Sequence, residues 1–182
     1  MRVVHLVIVI GWVLFCAYWL LAALSAKASR PGGIRLGGLP VVVVLVAFFL
    51  ARSSGLGSRP ARGDPVLAGV GLALFVLGLA FAIWARVYLG RNWGRPMTRR
   101  EEPELVTAGP YRRVRHPIYT GLITAMLGSA LATRPWGLIV VAALAAYFVV
   151  SSVREESFLA SEFPDTYPAY RKSTKMLIPF VF

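Results

Sequence analysis

The sequence predicts an all-α polytopic membrane protein with about five transmembrane helices, of which the last two form a tight hairpin, and a cytosolic C-terminal helical tail. Of its 182 residues, 57% are apolar and only 15% are charged, whereas soluble domains carry about 25% charged residues. The apolar residues also fall in long runs between polar segments, which is the pattern of helices that cross a bilayer.

The first two apolar runs lie in residues 1–65, which we predict to be an N-terminal two-helix membrane region. A spanning helix needs about 20 apolar residues, and run 3–24 meets that length. It also exceeds the hydrophobic part of a signal peptide, so we predict an uncleaved helix. Run 39–51 is shorter, and it reaches spanning length only if it begins near residue 34.

Three more runs follow in the second region, residues 66–182. Run 66–89 is long and contains glycines that permit close helix packing. Runs 118–133 and 135–150 are separated only by Arg134 and the proline after it. Because proline is tolerated at the start of a helix and not in its interior, this pair predicts the hairpin.

The distribution of positive charge predicts the orientation. Of the 20 Lys and Arg residues, 15 fall on the side that contains segment 86–117 and the tail from residue 154. The positive-inside rule then places the N-terminus outside and the C-terminus in the cytosol. The Ala-, Val-, Leu- and Arg-rich composition and short loops favour a bacterial inner membrane.

The net charge of +12 does not predict nucleic-acid binding, because the basic residues lie between apolar runs and form no soluble basic face. Membrane lipids with anionic headgroups are the partners that this distribution favours. No Cys/His cluster with metal-ligand spacing is present, so no metal site is predicted.

Two unusual polar stretches, 103–121 and 154–179, are both predicted to be cytosolic. The hairpin between them returns the chain to the same face, so we expect them to lie side by side. In the first stretch, Pro117 suits the first helical position and places His116 at the cap, where free N–H groups favour an anionic ligand group. The alternative is that the stretch only anchors the topology, which is the simpler interpretation for Arg112 and Arg113.

The second stretch begins with Glu155 and Glu156, predicted to follow the fifth helix directly. Two carboxylates at a helix C-terminus are unfavourable, so they predict either a use in ligand binding or a solvated turn with Arg154 as partner. The aromatic segment 163–170 is predicted to lie on the membrane surface.

These stretches resemble the signature of the integral-membrane methyltransferases, the group of isoprenylcysteine carboxyl methyltransferases and phospholipid N-methyltransferases. The similarity is carried by LVTAGPYRRVRHPIYTG at 105–121 and EESFLASEFPDTYPAYR at 155–171, with RVYLGRNW at 86–93 before them. It covers roughly residues 84–180, so region 66–182 is expected to be the cofactor-binding methyltransferase core.

The resemblance implies S-adenosyl-L-methionine as the methyl donor, bound on the cytosolic side. Carried over by motif position, the residues expected to bind it are Leu105, Val106, Tyr111, His116, Pro117, Ile118, Tyr119, Glu155 and Glu156. The catalytic candidates are Arg115 or Arg154, which would hold an acceptor carboxylate, and Glu155, which would take a proton from an amine.

The acceptor is expected to be lipid-like or small and apolar, and to enter from the bilayer. Family members that methylate a carboxylate place an arginine one or two turns before the glutamate pair, where this sequence reads FVVSS at 148–152. Carboxylate, amine and thiol acceptors therefore all stay open. The alternatives to a methyltransferase are an NADPH-dependent membrane reductase of the sterol-reductase type and a non-enzymatic membrane protein.

Overall fold

The computed structural model describes residues 2–23, 64–90, 104–133 and 137–179, and this part of the chain is helical without strands. Its elements, in order, are α1 (Arg2–Ala23), α2 (Pro65–Leu89), a 3-10 helix (Gly109–Arg112), α3 (Pro117–Thr133), α4 (Gly137–Glu162) and α5 (Tyr167–Ser173). The all-α prediction is thereby confirmed for the described residues.

The predicted bounds hold for the first, third and fourth runs, which form α1, α2 and α3. Run 39–51 and the Arg134–Pro135 turn lie outside the described residues, so the second helix, the hairpin and the total of five stay predictions. The fifth helix was predicted from run 135–150 with extension towards Ser152, and this end is wrong, because α4 continues to Glu162. Arg and Glu are good helix formers, so the change from apolar to polar sequence marks where apolar burial decreases, not where the helix ends.

Three helices, α1, α2 and α4, are long and apolar enough to cross a membrane. With 17 residues, α3 is about 26 Å long, shorter than the roughly 30 Å hydrocarbon core. The 26 residues of α4 reach about 39 Å, so the end of α4 extends beyond an apolar layer of that thickness. This polar end of α4 carries the glutamate pair.

Helices α2 and α3 form the most extensive helix pair among the described elements. Each of the two helices carries two glycines spaced seven residues apart. They meet across the interface, Gly71 with Gly128 and Gly78 with Gly121, and bring the two backbones into contact. A Cβ on Gly78 would lie only 2.6 Å from the Gly121 carbonyl oxygen. The small residues predicted to allow close packing therefore do so here.

Helix α1 packs across this pair with one aromatic face, formed by Trp12, Phe15 and Trp19. The Trp12 ring lies 5.7 Å from that of Phe75 on α2, and its indole N–H donates a 3.2 Å hydrogen bond to Ser129 Oγ on α3. One tryptophan thus joins three helices and satisfies its polar atom inside the apolar core.

The ends of α1 and α2 meet at Arg86, which is buried. Its guanidinium donates 2.7 Å hydrogen bonds to the carbonyls of Ala22 and Gly90. Carbonyls at helix C-termini carry partial negative charge, so a buried cation is well placed there.

Candidate active site

Backbone pairing brings the two polar stretches together. Arg115 N–H donates to the Lys175 carbonyl at 2.8 Å, His116 N–H to the Met176 carbonyl at 3.1 Å, and Lys175 N–H to the Arg113 carbonyl at 3.1 Å. The result is an isolated parallel bridge between Val114 and Lys175. The prediction that these distant stretches lie side by side is confirmed.

The tail after α4 is fastened to the same place by side chains. The Tyr170 hydroxyl donates to the Tyr111 carbonyl at 2.7 Å, and the Thr120 hydroxyl donates to the Leu177 carbonyl at 2.7 Å. Tyr167 is only 1% exposed. The tail folds back and buries this ring against the protein, and the position of segment 163–170 on the membrane surface stays a prediction.

Pro117 begins α3, and the His116 carbonyl accepts the first helical hydrogen bond from Thr120 N–H at 3.1 Å. His116 therefore occupies the predicted cap position. Its side chain is buried and points toward α4, where it lies near both glutamates.

Glu156 lies inside α4, six residues before its last residue, and not after the helix as predicted. Its carboxylate is 2.7 Å from Arg115 Nε, 3.4 Å from Arg171 Nε and 3.4 Å from His116 Nε2. The Arg115 and Glu156 side chains are 8% and 5% exposed. A buried carboxylate is tolerated only with such partners, and Glu156 has them.

Arg115 also fastens the tail. Its Nη1 donates to the Thr174 carbonyl at 2.6 Å and to the Arg171 carbonyl at 3.2 Å. The predicted catalytic arginine therefore lies at the site, with its hydrogen bonds directed to Glu156 and to the tail backbone.

Glu155 is the more exposed carboxylate of the pair, at 28% of its side chain. Its Oε2 accepts a 3.2 Å hydrogen bond from the Tyr119 hydroxyl and lies 3.7 Å from His116 Nδ1. An ionised carboxylate has about four acceptor positions. Glu155 therefore has acceptor positions left for a ligand, whereas the carboxylate of Glu156 is engaged by two arginines.

Three rings line the junction between α3 and α4. His116 and Tyr119 stack with centroids 5.6 Å apart and planes 7° apart. Tyr119 also stacks with Phe148, with ring centroids 4.8 Å apart and planes 28° apart. Phe148 is a site residue that the sequence analysis missed, and the signal that reveals it is its position two helical turns before Glu155 on a helix that continues through both.

Several buried polar atoms at this junction have no hydrogen-bond partner within the described part of the chain: His116 Nε2, Ser152 Oγ and Tyr167 Oη. The 3.4 Å approach of His116 Nε2 to Glu156 is an electrostatic contact and makes no hydrogen bond. Leaving a buried polar atom unpaired costs about 1–3 kcal/mol. His116 Nε2 has the Glu156 carboxylate beside it, so this cost falls on Ser152 Oγ and Tyr167 Oη. Two such atoms beside one pair of carboxylates indicate a place that can receive a polar ligand.

Burial raises the pKa of three tyrosines at the site, Tyr111, Tyr167 and Tyr170, above the usual value. For Tyr111 and Tyr167, the nearby carboxylates Glu155 and Glu156 raise the pKa further. These phenols therefore stay protonated at neutral pH, and the Tyr170 hydroxyl donates a hydrogen bond in this form.

The other residues predicted to belong to the site, and the predicted anchors, differ in how far they are buried. Leu105 and Val106 are half-buried in the extended segment before the 3-10 helix, and Ile118 packs against the apolar core. Arg154 is exposed, and because Glu156 lies two residues later, about 200° around the helix axis, the two side chains are on nearly opposite sides of α4. Arg112 and Arg113 are exposed, as topology anchors would be. Within the described ranges, no group of His, Cys, Asp and Glu could hold a metal ion.

Residues 67–166, more than half of the chain, match the family model of phospholipid methyltransferase. The cobalt-zinc-cadmium resistance protein CzcN of Cupriavidus metallidurans is 30% identical over 170 residues, which cover 85% of this chain and 73% of CzcN. The protein-S-isoprenylcysteine O-methyltransferase of Schizosaccharomyces pombe is 31% identical over 118 residues, or 60% of this chain and 48% of the yeast protein.

A similar fold is found in a solved eukaryotic intramembrane Ras methyltransferase, isoprenylcysteine carboxyl methyltransferase. Its TM-score is 0.59 at 22% identity, over 81% of this chain and 55% of the eukaryotic one. The chain thus spans about half the length of both isoprenylcysteine methyltransferases. From the family match and these relatives, the chain belongs to the phospholipid methyltransferase family of integral-membrane methyltransferases.

Proposed function

We propose that the protein transfers a methyl group from S-adenosyl-L-methionine to a lipid-like or small apolar acceptor at the cytosolic face of a bacterial inner membrane. The observation that carries this proposal is the division of the glutamate pair. Glu156 is neutralised by Arg115 and Arg171, whereas Glu155 faces His116 and Tyr119 with acceptor capacity to spare.

The residues at the junction fit this cofactor. A carboxylate such as Glu155 accepts hydrogen bonds from amino and hydroxyl groups, the His116 ring lies beside it with Nδ1 3.7 Å from its Oε2, and Tyr119 presents an aromatic ring. We infer that Tyr111, His116, Tyr119 and Glu155 hold the cofactor. The apolar wall is proposed to come from Leu105, Val106, Pro117 and Ile118.

Glu156 acts indirectly in this proposal. Its contacts with Arg115 and His116 fix the start of α3 and the orientation of the histidine ring. It is therefore a positioning residue, and Glu155 is the carboxylate that touches the ligand.

S-adenosyl-L-methionine would supply a methyl group already activated by a positively charged sulfur. The protein's contribution is then positioning and the exclusion of water. Glu155 can take the proton that an amine acceptor has to lose. A carboxylate acceptor would instead need a cation, and Arg115 is already engaged by Glu156 while Arg154 is exposed.

Binding of S-adenosylhomocysteine, measured by titration calorimetry on the purified protein in detergent, tests the cofactor. We expect binding in the micromolar range, weakened about tenfold or more by Glu155→Gln, since one hydrogen bond between charged groups is worth about 1.5–3 kcal/mol. The exposed carboxylate Asp165 supplies the matched control, Asp165→Asn, which should leave affinity unchanged.

Absence of binding would contradict the proposal, and NADPH binding in its place would support the reductase alternative, which the family match does not favour. Incorporation of labelled methyl groups into a bacterial lipid extract would show the reaction itself. Protease accessibility of the C-terminus in inside-out membrane vesicles would test the cytosolic orientation.

A further inference from the structure

Five basic residues from two distant stretches form one exposed patch on the side of the molecule that carries the site. Arg113 and Lys175 are neighbours, because the Lys175 N–H donates to the Arg113 carbonyl at 3.1 Å. Arg171 and Lys172 lie in the last turn of α5, four and three residues before Lys175. All are exposed, and we call the set the basic patch: Arg112, Arg113, Arg171, Lys172 and Lys175.

The basic patch favours an anionic partner. Like charges held close together repel, and an anion bound between them relieves that repulsion. Arginine offers a fork of donors that fits phosphate oxygens, and lysine adds a point charge. The exposed carboxylate Asp165 lies before the first turn of α5, at the end opposite to Arg171 and Lys172. The cations of the tail are therefore kept apart from it.

Exposed aromatic rings place the patch at the depth of lipid headgroups. Trp84 and Tyr88 are exposed near the end of α2, a helix long and apolar enough to span a membrane, and their rings lie 5.8 Å apart. Tryptophan and tyrosine are enriched where the hydrocarbon core meets the headgroups. A Cβ on Gly109 would overlap the Tyr88 ring, so the start of the 3-10 helix lies against it. Arg112 and Arg113 follow within four residues and therefore lie near the same depth.

The tail part of the patch also borders an exposed apolar side chain. Ile178 is half exposed, three residues after Lys175, whereas Leu177 between them is buried. Cations beside exposed apolar and aromatic side chains match a bilayer surface, where phosphates lie above hydrocarbon. A dissolved anion or a nucleic acid would pair with the cations but leave Tyr88 and Ile178 in water. A lipid surface accounts for both kinds of side chain.

We propose that the basic patch binds the phosphate groups of anionic phospholipids, with Tyr88 and Ile178 in the apolar edge of the same leaflet. The basic residues of the sequence predict such lipids only as partners of the chain as a whole, and the fold gives them a defined surface. Arg171 Nε also lies 3.4 Å from Glu156 Oε2, so a bound lipid is adjacent to the site. The inference is independent of the methyltransferase function, because lipid binding needs no cofactor.

Native mass spectrometry of the protein in a neutral detergent measures its affinity for dioleoyl phosphatidylglycerol and for dioleoyl phosphatidylcholine. Both lipids carry a phosphate and the same chains, but only phosphatidylglycerol has a net charge. The patch variant combines Arg113→Gln with Lys175→Gln. The matched control combines Arg2→Gln with Arg154→Gln and removes two exposed cations outside the patch. A third variant, Arg113→Lys with Lys175→Arg, keeps both charges.

We expect the wild type to bind phosphatidylglycerol about tenfold or more tightly than phosphatidylcholine, because each cation near an anionic headgroup raises the affinity about fivefold. The patch variant should lose about tenfold or more of the phosphatidylglycerol affinity. The control and the charge-preserving variant should stay within about threefold of the wild type. Thermal unfolding without lipid shows whether each variant is folded. Should the patch variant not fold, Arg112→Gln with Lys172→Gln removes two other charges of the patch and should give the same loss.

Equal affinity of the wild type for the two lipids overturns the proposal, and so do equal losses in the patch variant and the control. Two competitors test the source of the phosphate group at physiological ionic strength: inorganic phosphate and a short DNA duplex, each added together with phosphatidylglycerol. We expect neither to displace the lipid. Displacement by inorganic phosphate would assign the patch to dissolved anions, displacement by the duplex would assign it to nucleic acid, and either result overturns lipid binding.

Discussion

Helix α3 contacts its two neighbours in opposite ways. Toward α2 it presents Gly121 and Gly128, which meet Gly78 and Gly71 backbone to backbone. Toward α4 and the tail, its first turn and the residues before it present an arginine, a histidine and a tyrosine, which meet two glutamates. The first contact depends on the absence of side chains and the second on the pairing of charged ones.

The difference shows how a short helix can hold a precise site near a membrane surface. Packing without side chains leaves α3 little freedom against α2, because close-packed interiors resist changes of even one methylene. Polar contacts are directional, so they fix orientation and can still be remade when a ligand arrives. We infer that the glycine contact is the rigid support and the polar junction is the working face.

Removal of the Arg115 charge should give the largest effect. Arg115→Met leaves Glu156 as a buried carboxylate with only a partly exposed arginine and a histidine beside it. Breaking a buried pair on one side costs about 3–5 kcal/mol. The measurement is the free energy of unfolding in detergent, with the exposed Arg113→Met as the matched control, expected within about 0.5 kcal/mol of the wild type.

The double variant Arg115→Met with Glu156→Gln sharpens this prediction. If the cost comes from an unpaired buried charge, neutralising Glu156 should recover part of the stability lost in Arg115→Met. A double variant whose loss of stability, relative to the wild type, equals the sum of the two single losses would show that the two side chains act independently.

The glycine contact should tolerate no side chain where the helices touch. Gly78→Leu places a Cβ 2.6 Å from the Gly121 carbonyl oxygen, and overpacking of this kind costs about 1–3 kcal/mol. The same helix supplies the control, because a Cβ on Gly69 meets nothing within 4 Å. Gly69→Leu should keep the wild-type melting temperature, and equal destabilisation by both variants would contradict a contact made through Gly78.

The glutamate pair should separate stability from binding. Glu155→Gln should lower S-adenosylhomocysteine affinity about tenfold or more while unfolding stays within about 0.5 kcal/mol of the wild type. Glu156→Gln should have the larger cost in stability, since it leaves Arg115 buried without its carboxylate partner, and a smaller loss of affinity, because it acts on the ligand only through His116. Calorimetric titration and thermal unfolding of both variants check this, and parallel losses in the two variants would show that both carboxylates touch the ligand.

Much of this architecture could be predicted from the sequence because apolar runs and proline positions act locally. The starts and ends of α1, α2 and α3 follow from such local signals. The meeting of the two polar stretches was predicted from the number of helices between them, without the residue pairs that make it. The length of α4 could not be predicted from hydropathy. Its polar end is stabilised by Arg115 and His116, which are about 40 residues away in the sequence.

The same limit explains what was missed at the site. Phe148 and Ser152 share a helix face with Glu155 because α4 is continuous from Gly137 to Glu162, whereas the prediction ended the helix before Glu155. Tyr167 was assigned to the surface because an aromatic, proline-rich tail is typical of an interface. Its burial depends on the pairing of residues 113–116 with 175–176, which no local pattern reveals.

The smallest expected effect compares two tyrosines of the tail that differ in one hydrogen bond. The Tyr170 hydroxyl donates to the Tyr111 carbonyl at 2.7 Å, whereas the buried Tyr167 hydroxyl has no partner among the described residues. Tyr170→Phe should therefore cost about 1 kcal/mol of unfolding free energy, and Tyr167→Phe should be neutral or stabilising, because replacing an unsatisfied buried hydroxyl removes a desolvation penalty. Thermal unfolding without ligand measures both. If Tyr167→Phe costs as much as Tyr170→Phe, the Tyr167 hydroxyl is hydrogen-bonded in the folded protein. The tail would then be a structural contact, like that of α1, and not part of the working face.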